Sequence, residues 1–62
     1  MKEYIDFLFT DTETNEEFLV EVENTMNARN EAIEIARENF ENPILIRCMS
    51  VEEAEWLGID TY

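Results

Sequence analysis

The 62-residue sequence contains no histidine, one cysteine, one glycine and one proline, and its lysines and arginines number only four. Without histidine there is no Ser-His-Asp triad, no Cys-His pair and no imidazole metal ligand. A single cysteine excludes an internal disulfide and the usual four-ligand zinc site. A single glycine leaves nothing from which to build a Gly-rich phosphate loop. No stretch approaches the ~20 apolar residues of a membrane span. The scarcity of bases, set against sixteen aspartates and glutamates, gives a net charge of −12. That charge argues against direct binding to nucleic acid or anionic lipid, since both demand positive charge on the protein.

What is present argues for a folded chain. Apolar residues make up 45% and aromatics 11% of the sequence, too many for the usual acidic disordered segment. The length suits one small acidic domain, residues 1–62. Such a domain buries roughly 60% of the surface its unfolded chain exposes, so its core is thin. Repulsion among the excess carboxylates weakens it further, most at low salt. The N-terminal stretch Met1-Lys2-Glu3-Tyr4-Ile5-Asp6 places an acid where an export signal needs apolar residues. With one unpaired cysteine, this predicts a cytoplasmic protein.

Three runs predict strands. In residues 2–10, Ile5, Phe7 and Phe9 alternate with Tyr4, Asp6, Leu8 and Thr10, a period of two rich in aromatics. In residues 17–23, Phe18, Val20 and Val22 alternate with Leu19, Glu21 and Glu23. The polar segment 11–16 between them predicts a hairpin loop that is not a tight two-residue turn, because it lacks glycine. Residues 44–49, Ile-Leu-Ile-Arg-Cys-Met, read as a third strand. Residues 26–41 switch to a helical period, with Met26, Ala28, Ala32, Ile33, Ile35, Ala36 and Phe40 on one side. Asn24, Thr25 and Asn27 are all possible N-caps, and Asn42-Pro43 ends the helix. Ser50 followed by Glu53 predicts a capping box, opening a short helix over Val51–Leu57. Gly58 suits its left-handed end, with Ile59 as the apolar contact beyond it. Asp60-Thr61-Tyr62 reads as a tail.

The order β-β-α-β-α predicts an α+β two-layer sandwich, with a three-stranded antiparallel sheet in strand order 2-1-3 and the main helix on one face. The inner face is expected to carry Ile5, Phe7, Phe9, Phe18, Val20, Val22, Ile44, Ile46 and Cys48, with Cys48 as a buried small hydrophobe. The other face is expected to carry Tyr4, Asp6, Leu8, Leu19, Glu21, Glu23, Leu45, Arg47 and Met49. That face is too apolar to stand in water alone. Either the short C-terminal helix folds across it, or it pairs with another molecule.

Several residues are candidates for chemistry. Asp11, Glu13 and Asn15 match the first places of a calcium loop, but Glu16 stands where glycine is needed and Val22 where the closing glutamate is needed. The segment therefore reads as a solvated acidic loop, and no metal is expected. Thr10, Thr12, Thr14 and Ser50 have no neighbouring base, so nucleophilic catalysis has no support, and no cofactor is implied. Arg29 and Arg47 are expected to balance local acids. Glu31, Glu34, Glu38 and Glu41 form an acidic strip at helical spacing, either an ordinary solvated face or a docking surface, with Arg37 able to pair with Glu34 or Glu41. Tyr4, Leu8, Leu19, Leu45, Met49 and Trp56 are candidates for partner binding or self-association. Large aromatics such as Trp56 and Tyr62 either close a small core or serve at interfaces.

These readings point to a non-catalytic protein-binding module that docks on a basic, nucleic-acid-binding surface of a partner protein. Carboxylates on a small rigid scaffold imitate the charge spacing of a phosphate backbone. In charge and size the chain resembles small acidic phage-type inhibitors, including anti-CRISPR and anti-restriction proteins. The alternative is a structural, homo-oligomeric protein that associates through the second sheet face, its charge serving only solubility.

Overall fold

The computed structural model describes residues 2–62; Met1, the first residue of the N-terminal stretch read above, lies outside the described residues. Strands β1 (Tyr4–Asp11) and β2 (Glu16–Glu23) form the hairpin, followed by helix α1 (Ala28–Asn39), strand β3 (Pro43–Ser50) and helix α2 (Val51–Leu57). The sheet is antiparallel throughout, in the order β2-β1-β3, as the alternation predicts. The hairpin turns without glycine because Asn15 adopts the left-handed conformation, at φ 61°, which asparagine tolerates better than most residues. Asp11 organises this turn. Its buried carboxylate accepts from the Glu13 and Asn42 backbone N–H groups, at 3.2 Å each, and from the Thr14 hydroxyl at 3.3 Å. Asp11 thus ties the hairpin to the α1–β3 connection, and is not the solvated acid of the sequence expectation.

The inner layer is built as the period of two demands. Phe7, Phe9, Phe18, Val20 and Val22 pack against Ala28, Ala32 and Ala36. Alanines four residues apart lie one above another on a helix, and their small size brings α1 close to β1 and β2. The phenylalanines stack: Phe18 lies 5.4 Å from Phe9 and 3.8 Å from Phe40, ring centre to ring centre. The helix begins later than its apolar pattern. Thr25 accepts through its hydroxyl from the Asn27 N–H at 3.2 Å and holds a turn ahead of Ala28, which leaves Met26 fully exposed rather than on the core side.

The third strand departs most from expectation. Its pairing with β1 shifts register between Leu8 and Phe9, so Ile46 has no partner opposite it. One extra residue exchanges the faces of everything beyond it. Leu45 therefore packs into the inner layer, although alternation assigns it to the outer face. Ile44, assigned inward, pairs with Thr10 and is exposed, as is Ile46, at 51% and 49%. Cys48 pairs with Phe7, yet it is exposed, because the buried residues of α1 pack over β1 and β2 and leave the far side of β3 uncovered.

Helix α2 fills the outer face. Ser50 caps it by accepting from the Glu53 N–H at 3.2 Å, and Gly58 closes it in the left-handed region at φ 64°. Ala54 and Ile59 pack on Leu8, Leu19 and Met49, making a second small core. The chain then reaches the opposite edge of the sheet. Asp60–Tyr62 is not a free tail: it runs parallel to β2, with Leu19 N–H donating to Asp60 O at 2.9 Å, Tyr62 N–H to Leu19 O at 2.7 Å and Glu21 N–H to Tyr62 O at 3.0 Å. The Tyr62 ring meets Phe18 and Phe40 edge-on, at 5.7 and 5.3 Å. The segment after α2 thus fastens the outer layer to the inner one. Among the described residues no helix is long and apolar enough to cross a membrane.

Candidate functional site

Three of the candidate contact residues, Leu8, Leu19 and Met49, are buried beneath α2. The outer face is therefore covered from within the chain, the first of the two arrangements left open by the sequence. Leu45 has moved to the inner layer. Tyr4 stays about half exposed and Trp56 is 90% exposed, so Trp56 closes neither core. Glu31, Glu34, Glu38 and Glu41 are all exposed, the first three along the outward side of α1 and Glu41 just past its end. Arg37 lies among them. Among the described residues the ion pair within 4 Å is Arg47–Glu53, at 3.4 Å, so no close pairing neutralises the strip.

A second acidic feature lies where α2 crosses the sheet. Asp6, on the central strand β1, faces outward between Glu21 on β2 and Met49 on β3. Its side chain is covered by α2 and only 2% exposed. It forms the floor of a cleft of about 530 Å³ whose walls include Glu21, Glu55, Val51, Ala54 and Ile59. Asp6 Oδ1 is buried and has no hydrogen-bond partner among the described residues. Burial raises the Asp6 pKa above its ordinary value, and the nearby Glu21 and Glu55 carboxylates raise it further.

Alternation places Asp6 and Glu21 on the outer face and gives neither of them, nor Glu55, a functional role. The signal available was the acid at the middle of an otherwise semi-apolar face, between Tyr4 and Leu8: once α2 covers that face, the acid is trapped beneath it. Among the described residues no group of three histidine, cysteine or acidic side chains is placed to hold a metal ion, and the Asp11 carboxylate is engaged by the Glu13 and Asn42 backbone N–H groups and the Thr14 hydroxyl. Comparison with known protein families, curated proteins and solved structures gave no match.

Proposed function

We propose that the protein is a non-catalytic binding module that presents carboxylates to a basic, nucleic-acid-binding surface of a partner protein. The observation that carries this reading is the exposed, unneutralised strip Glu31, Glu34, Glu38 and Glu41 on a chain of net charge −12. Carboxylates held on a helix backed by a packed sheet keep fixed spacing, and a partner's basic groove attracts them over long range. The test is capture of the partner followed by competition with duplex DNA or RNA. The reading expects nucleic acid to displace the protein. Glu34→Lys/Glu38→Lys, which reverses two exposed charges, should weaken binding about tenfold or more. A captured partner that binds both forms equally and ignores nucleic acid contradicts it.

A second reading, self-association, is favoured by β3. Among the described residues this strand pairs with β1 alone, exposes Ile44 and Ile46, and carries no carboxylate along Pro43–Ser50. Two copies of so acidic a chain meet with least repulsion along such an edge. This reading predicts a dimer mass by light scattering and a monomer for Ile46→Lys. A monomeric parent protein rules it out.

A further inference from the structure

We propose that the cleft beneath α2 binds a primary alkylammonium group, the end of a lysine side chain on the basic partner, with Asp6 Oδ1 as its buried acceptor. The lysine's source rests on the function proposed above; the site itself does not. Three observations converge on it. Asp6 is 2% exposed, and its Oδ1 lacks a hydrogen-bond partner among the described residues, although buried polar atoms are nearly always paired. Glu21, its cross-strand neighbour, and Glu55, from α2, bring two further carboxylates to the same cleft. Val51, Ala54 and Ile59 supply apolar wall.

The chemistry selects the ligand. Three carboxylates, with no lysine or arginine among the described residues that line the cleft, favour a positive group. An ammonium carries three N–H donors on a compact head, which suits a cleft lined by acids from three separate elements, β1, β2 and α2. A guanidinium is a planar fork that pairs best with two oxygens of one carboxylate, whereas the buried unpaired acceptor here is a single oxygen. The acids are not placed close enough to hold a metal ion among the described residues, but an ammonium bonds at the longer distances of N–H···O contacts. The methylene stem of a lysine then lies along the apolar wall, as such stems do on apolar surface.

The probe is n-butylammonium, with n-butanol and tetramethylammonium as controls, followed by NMR at the Ala54 and Ile59 methyl groups and the Asp6 carboxyl carbon. The expected result is a saturable shift of all three signals with n-butylammonium and a lowered Asp6 titration midpoint. n-Butanol lacks the charge and tetramethylammonium lacks the N–H donors, so neither should reproduce it. Asp6→Asn should weaken the interaction about tenfold or more, the loss expected for one charge-assisted hydrogen bond. Glu55→Gln, a change at an exposed helix position, should weaken it less and leave the fold intact. Shifts that fail to saturate, or that persist unchanged in both variants, overturn the assignment. That failure leaves the binding of Glu34→Lys/Glu38→Lys to a partner untouched, so the two proposals fail separately.

Discussion

Replacing Phe18 by alanine is expected to unfold most of the protein at room temperature. Phe18 is 1% exposed and touches Phe9, Phe40 and Tyr62 at once. It joins the sheet, the end of α1 and the C-terminal segment, so its loss opens a cavity that no single neighbour can fill. Phenylalanine-to-alanine changes in cores cost about 3–5 kcal/mol. A chain of this length has roughly 3–9 kcal/mol to lose, and its net charge of −12 places it toward the lower end through self-repulsion. Urea denaturation followed by far-UV circular dichroism measures the effect. A loss below about 1 kcal/mol would mean that the aromatic stack is not the centre of the core.

The second large effect has the opposite sign. Asp6→Asn is expected to stabilise the protein at neutral pH. In the folded chain burial, Glu21 and Glu55 raise the Asp6 pKa above its ordinary 3.8, while the unfolded chain keeps a value near that figure. Between the two values the folded state holds a proton that the unfolded state has released. Stability therefore falls as pH rises through that window and remains lowered above it. The charged groups facing Asp6 are Glu21 from β2 and Glu55 from α2; Arg47 on β3 is engaged with Glu53. Asparagine carries no charge, and its amide can donate to a neighbouring carboxylate. The expected gain is about 0.5–1.5 kcal/mol, the net worth of the hydrogen bond the amide can donate, with removal of the disfavoured charge adding to it. Thermal unfolding at a series of pH values is the measurement. The difference between the two proteins should shrink on acidification toward the ordinary aspartate value. A variant less stable than its parent at neutral pH would show that the carboxylate is held by a favourable interaction.

Much of this architecture is legible from spacing. The alternation in residues 4–10 and 17–23 defines the hairpin and its inner face, and the residues on that face are the ones that pack on α1. Ser50 and Gly58 mark both ends of α2, whose span matches the expectation residue for residue. The third strand is less legible because Ile44-Leu45-Ile46 offers no alternation: three apolar residues in a row are compatible with either face, and the register shift at Ile46 decides between them. Met26 continues the helical period in sequence, but Thr25 holds the chain in a turn there. The cleft was hidden for a different reason. A period of two says which residues share a face with Asp6, not what covers that face. The pairing of Asp60–Tyr62 with β2 rests on backbone hydrogen bonds, which leave no mark in side-chain pattern.

Helix α2 also limits what a partner can meet on the outer face. Covering Leu8, Leu19 and Met49 removes the apolar area that a partner would otherwise meet on that face. The surface that remains is dominated by carboxylates on α1 and by the acid-free edge of β3. Binding through the first depends on charge, and binding through the second on apolar and backbone contacts, so ionic strength acts on them in opposite directions.

The most direct test of the proposed role is the affinity for a captured basic partner across a salt series from about 50 to 500 mM, a range over which the screening length falls severalfold. The account predicts a steep fall in affinity, with a shallower slope for Glu34→Lys/Glu38→Lys because fewer charge contacts are left to screen. Affinity that stays level or rises across the series would contradict it.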